Sequence, residues 1–236
     1  MKILYIFPHP DDESFGPAPA ISKQRCQGHE VYLLTLTKGE ATKERFKFGY
    51  SLEQMGQIRY EEMQDVAKTL DLTELTVLDL PDSGLKELDP RKIEDVIRQH
   101  IKRIQPAVLV TYPVHGISGF HDHLVGHAVV KRVYLELKEH GSDYLKRLAF
   151  FTVGQQDIEQ HEGLHNLNYS TEEEIDCVLP VEDEDIENFQ KALDCYKTYQ
   201  DKIEESGIRE FINKEIRFEI FQENHHPQLS DLFQGL

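Results

Sequence analysis

The chain has 236 residues, with 26 lysines and arginines against 43 aspartates and glutamates, a formal net charge of −17. A surface that acidic repels phosphate backbones and anionic bilayers, which argues against nucleic-acid and membrane partners. Hydrophobic residues make up 39% of the chain, enough for a packed core rather than a disordered polymer.

The first apolar run, Lys2 to Phe7, stops at Pro8. It is too short for a signal-peptide core, and no later run approaches the roughly 20 apolar residues of a membrane span. Three cysteines, Cys26, Cys177 and Cys195, are odd in number and widely spaced, as in a reducing cytosol. The expected location is therefore cytoplasmic.

In chain order, Lys2 to Phe7 reads as a strand buried on both faces. Ser14 to Gly28 reads as a helix with an irregular, Gly- and Pro-containing start. Glu30 to Thr37 is a β-branched, apolar second strand, and Ser51 to Leu70 repeats apolar residues at helical spacing. Thr76 to Leu80 predicts a third strand, stopped by the turn cluster Pro81-Asp82-Ser83-Gly84. Pro90 to Ile104 is helical, with proline suited to the first turn. Ala107 to Tyr112 predicts a fourth strand, about His123 to His140 a helix, and Leu148 to Val153 a fifth strand.

Strands alternating with helices imply a Rossmann-like α/β fold, a mostly parallel sheet with helices on both faces. Beyond Gly154 the pattern loosens. Gln155 to Ser170 is polar and reads as a loop or lid, followed by a strand at Ile175 to Leu179, a helix at Glu182 to Ile203 and a strand at Ile216 to Phe221. With no repeat or clear linker, residues 1–236 read as one domain: a core over 1–154 and a C-terminal elaboration over 155–236 that shapes the pocket.

Ionisable residues cluster where open α/β sheets build sites, after the strands. His9-Pro10-Asp11-Asp12-Glu13 follows the first strand, and His9 and Asp12, three apart in a turn, can share one metal ion while Asp11 stays free to take a proton. A second cluster, His115 to His123 followed by His127, comes after the fourth strand, which neighbours the first where strand order reverses. Two histidines and a carboxylate, with a position open to water, make a catalytic zinc arrangement. A competing pattern, His161-Glu162-Gly163-Leu164-His165, matches H-E-x-x-H of zinc peptidases. That motif needs a helix, and Gly163 with its polar flanks argues for a loop. No Gly-rich phosphate loop follows the first strand, which argues against a dinucleotide enzyme.

H-P-D-D-E after the first strand, D-H after the fourth, Thr37-Lys38-Gly39-Glu40-Ala41 after the second and Arg59-x-x-Glu62 in the next helix resemble the LmbE-like (PIG-L) zinc-dependent N-acetylglucosaminyl deacetylases. The resemblance covers about residues 1 to 150 and is strongest, in G-I-S-G-F-H-D-H-L, to the bacillithiol-pathway members that act on N-acetylglucosaminyl-malate. It implies that His9, Asp12 and His123 bind Zn2+, a donor set that also suits Fe2+. It further implies that Asp11 is the general base, that Asp122 orients a neighbouring histidine, and that Arg59 and Glu13 contact substrate. The partner is then a small N-acetyl amino-sugar conjugate, and homo-oligomerisation stays open. Where the family reads H-P-D-H, this chain has Phe120-His121-Asp122-His123, so the role of the replaced histidine falls to His121, to His115, or to neither, with the metal alone stabilising the oxyanion. The alternatives are a metallopeptidase using His161, Glu162 and His165, or a non-catalytic sugar-conjugate-binding protein.

Overall fold

The computed structural model describes residues 1–159, 166–211 and 214–236. Its frame is a seven-stranded sheet in the order β3-β2-β1-β4-β5-β7-β6. β1 (Lys2–Phe7), β2 (Glu30–Thr37), β3 (Glu74–Leu80), β4 (Val108–Thr111) and β5 (Arg147–Thr152) are parallel to their neighbours. β7 (Glu215–Ile220) runs antiparallel between β5 and β6 (Cys177–Pro180). The α/β expectation holds, with mixed character only where β7 pairs with β5 and β6.

β1 explains why its sequence is apolar throughout. Ile3, Tyr5 and Phe7 face one core together with Met63 and Val66, while Leu4 and Ile6 face the other together with Ile97 and Val130. Both faces are covered, so the period-two alternation of a half-exposed strand is absent. The helices named so far by their residues are α3 (Leu52–Thr69), α4 (Pro90–Ile104) and α5 (His121–Glu139). α3 starts on a capping box, Ser51 with Gln54, and α4 on the Asp89 side chain with Pro90 in its first turn.

Four segments differ from the sequence reading. The first helix, α1, spans Ala18–Cys26 and starts late, because residues 11–15 form a tight turn in which Ser14 and Phe15 donate to the Asp11 carbonyl. Short helices α2 (Arg45–Phe48) and α6 (Gln155–Glu159) occupy stretches without a helical period. The long helix expected over 182–203 is broken: α7 (Asp183–Cys195) ends at Tyr196, a 3-10 turn covers Lys197–Tyr199, and α8 (Gln200–Ser206) and α9 (Ile208–Phe211) follow. Tertiary hydrogen bonds account for the break. Glu62 on α3 accepts from both the Thr198 backbone N–H at 2.7 Å and its hydroxyl at 2.9 Å. Among the described residues no helix is long and apolar enough to cross a membrane.

Candidate metal centre and active site

β1 lies between β2 and β4, so their C-terminal ends open on one crevice. The turn after β1 delivers His9, Asp11 and Asp12 there, and the start of α5 delivers Asp122 and His123. One donor atom from each of His9, Asp12 and His123 lies within 4.8 Å of the others. Sequence spacing alone could not join positions 9 and 123; the sheet order does.

The hydrogen bonds around the two imidazoles orient them for a cation. His123 Nδ1 sits 2.9 Å from the Gly116 carbonyl, which fixes its proton there and turns the Nε2 lone pair toward Asp12 Oδ1 at 3.3 Å. His9 Nε2 faces Asp122 Oδ2 at 3.3 Å and Asp82 Oδ1 at 3.4 Å, which leaves Nδ1 directed at Asp12 Oδ2 at 3.5 Å. Carboxylates or carbonyls behind the imidazoles are the usual outer support of a metal site. Two imidazole lone pairs and one carboxylate thus converge, a donor set that fits a divalent metal ion. Asp12 is itself fixed by the His9 backbone N–H at 2.8 Å and the Tyr112 hydroxyl at 2.8 Å, and Tyr112 stacks on His123 with ring centres 4.1 Å apart. Although burial opposes its charge, the neighbouring His123 and His9 rings hold the Asp12 carboxyl well below the usual range.

Asp11 points elsewhere. Its backbone has φ +86, a left-handed conformation that non-glycine residues rarely adopt and that often marks a functional position. Its N–H donates to the Tyr196 hydroxyl at 2.8 Å, and its Oδ2 accepts from Arg59 Nη2 at 2.7 Å. Burial pushes the Asp11 carboxyl up to about 6, against the pull of Arg59. Arg59 is 1% exposed, also donates to the Pro10 carbonyl at 2.8 Å, and lies 4.2 Å from the Tyr199 ring centre. Its Nε and Nη1 have no hydrogen-bond partner. Gly39, at φ +64, leaves room for the guanidinium: a Cβ there would sit 2.8 Å from Arg59 Nε.

These groups line a cavity of about 340 Å³. His9, Asp11, Asp12, Arg59 and His123 are on its wall, as the sequence led us to expect. Asp122 stands behind His9 and accepts from the Leu85 N–H at 3.2 Å, in keeping with an orienting position. Glu13 and His121 are corrections. Glu13 is fully buried and not on the cavity wall; it accepts from Tyr196 and Ser14, each at 2.6 Å, and burial pushes its carboxyl up to about 7. It therefore supports the turn rather than touching a ligand. His121, at the start of α5, is exposed and off the wall. His115 also lies off the wall, with Nε2 3.3 Å from Ser170 Oγ. Phe120, in place of the family histidine, does line the cavity. The H-E-x-x-H residues His161, Glu162 and His165 lie outside the described residues.

Sequence reasoning missed Asp82, Tyr112, Tyr196 and Tyr199. Asp82 and Tyr112 had a signal, since both directly follow strands that end at the crevice. Tyr196 and Tyr199 had none, because the helix expected over 182–203 runs through them without a mark.

The sequence profile of the PIG-L family, described as GlcNAc-PI de-N-acetylase, matches residues 4–134. The chain is 33% identical over 139 residues to a probable N-acetyl-alpha-D-glucosaminyl L-malate deacetylase 2 of Bacillus subtilis, a match covering 58% of this chain and 62% of that protein. It is 27% identical over 142 residues to N-acetylglucosaminyl-phosphatidylinositol de-N-acetylase of Bos taurus, covering 58% of this chain and 52% of that one. Each match thus spans less than two thirds of the relative's length. In fold, the chain is similar to N,N'-diacetylchitobiose deacetylase from Pyrococcus horikoshii, with a TM-score of 0.70 at 18% identity over 93% of this chain and 83% of that one. The profile match takes in more than half of the residues, among them His9, Asp11, Asp12, Arg59 and His123, and the chain belongs to the PIG-L family.

Proposed function

We propose that the protein is a metal-dependent hydrolase that removes the acetyl group from an N-acetylglucosaminyl conjugate. The observation that carries this reading is the side-by-side arrangement of a His9–Asp12–His123 donor set and a separate carboxylate, Asp11, on one cavity wall. Names of similar proteins support the substrate class, and the L-malate conjugate of bacillithiol biosynthesis is the first to test. Zn2+ is the metal of choice for two imidazoles and a carboxylate, and Fe2+ suits the same donors. A cytoplasmic location and a single functional unit, with the described residues beyond 154 shaping the pocket, complete the proposal.

His9, Asp12 and His123 would hold a divalent cation, which would supply Lewis acidity toward an acetamido carbonyl and toward water. Asp11 accepts a proton at Oδ1, the oxygen not held by Arg59, and returns it to the departing amine. Arg59 keeps the carboxylate in one orientation through its bond to Oδ2. Arg59 lines the cavity and is the proposed substrate contact. Asp122 and Asp82 orient His9, and the Gly116 carbonyl orients His123.

The test is acetate and amine release from N-acetylglucosaminyl-malate by the Zn2+-loaded protein beside its Asp11→Asn variant. Wild type should turn over, and Asp11→Asn should retain metal while losing at least about 100-fold in kcat, the usual contribution of a general base. An active Asp11→Asn protein would remove Asp11 from the mechanism.

A further inference from the structure

The wall of the cavity is chemically divided. His9, Asp11, Asp12, Arg59, Asp82 and His123 make one part polar. Phe15, Ile117, Phe151, Val153, Ile208 and Phe211 make another part apolar. The last two come from α9, beyond the segment matched by the family profile. An acetyl group presents one methyl to such a surface, and a pyranose ring presents hydroxyls that would lose water there without gaining partners.

We infer that the cavity takes an amino sugar bearing an apolar group of several carbons, which packs against Phe15, Ile117, Phe151, Val153, Ile208 and Phe211. This rests on the deacetylase reading and names the chemistry of the substrate's second part. The apolar group reaches the site as the aglycone of the glycoside or as an acyl chain longer than acetyl, and the two sources are separable.

The test uses the whole chain and two measurements. The first is calorimetric binding of the amine products, hexyl and methyl glycosides of glucosamine, which requires no turnover. Burial gains about fourfold per methylene, so with even a few of the five additional carbons buried the hexyl glycoside binds at least about tenfold tighter. Ile208→Asn narrows that ratio. The second is hydrolysis of N-hexanoyl- against N-acetylglucosamine by the Zn2+-loaded protein. A hexyl glycoside that binds tighter assigns the apolar group to the aglycone. A hexanoyl substrate cleaved with at least about tenfold higher kcat/KM, with equal binding of the two glycosides, assigns it to the acyl chain. Equal binding together with no preference for hexanoyl overturns the inference, and acetate release from methyl N-acetylglucosaminide then leaves the deacetylase standing. Tight hexyl binding with no amide cleaved on any substrate instead overturns the deacetylase reading and leaves the apolar subsite.

Discussion

Tyr196 joins the C-terminal helices to the turn that carries Asp11, and removing its hydroxyl tests how that turn is held. The hydroxyl accepts from the Asp11 N–H at 2.8 Å and donates to Glu13 Oε1 at 2.6 Å, and the residue is fully buried. Tyr196→Phe keeps the ring and deletes both bonds. The Asp11 N–H then lacks its partner in a part-buried place, and Glu13 keeps only Ser14. A buried polar group left unpaired costs about 1–3 kcal/mol. Glu13 softens its share by taking up a proton, since burial has already raised its pKa to about 7. A net loss of about 2 kcal/mol follows, or a Tm lower by about 5 °C for a chain this long. Turnover should fall by more than stability alone explains, because Asp11 at φ +86 depends on that bond to stay in place. Misplacement by about 1 Å costs on the order of 100-fold in rate. Urea unfolding gives the stability change, and kcat and KM measured well below Tm give the catalytic one. A variant within about 0.5 kcal/mol of wild type and with unchanged kcat would show that Tyr196 does not hold the turn.

Gly39→Ala places a methyl 2.8 Å from Arg59 Nε and 3.0 Å from the Pro10 ring, at a left-handed φ, so we expect a loss of about 2–3 kcal/mol in thermal or chemical unfolding, with kcat reduced through Arg59. Cys177 provides a pH test away from the active site. Burial pushes its thiol up to about 12 from 9.0, so between these values the folded state holds a proton that the unfolded chain has lost. Stability from this residue is therefore intact below pH 9 and declines as pH rises toward 12, by about 1.4 kcal/mol per pH unit. From pH 9 to 10.5 the wild type should lose about 2 kcal/mol more than Cys177→Ala in urea titrations. Equal losses in the two proteins would refute the assignment.

Much of this architecture is legible in the sequence because its physics is local. β1 is apolar at every position since both faces are covered, and α3 and α4 announce their starts with Ser51 and Asp89. The His9–Asp12 pair could be read from spacing within one turn, and the rule that ligands gather at the strand-order reversal brought one of the histidines after β4 beside it, with His123 singled out by the family resemblance. What escaped reading depends on contacts distant in sequence. Thr198 breaks a helix by bonding Glu62, 136 residues away, and nothing near Thr198 signals it. Glu13 looks like any surface acid beside a site until Tyr196, 183 residues on, is seen to cover it. Arg59 reads as a substrate contact, and only the fold shows that it first holds Asp11.

In the proposed site, one metal ion is held by His9, Asp12 and His123. The most direct measurement is Zn2+ stoichiometry by elemental analysis after dialysis, on wild type, His123→Ala and His165→Ala. About one equivalent is expected in wild type and in His165→Ala, and loss of it in His123→Ala. Metal retained by His123→Ala but lost from His165→Ala would contradict it and move the centre to the H-E-x-x-H motif.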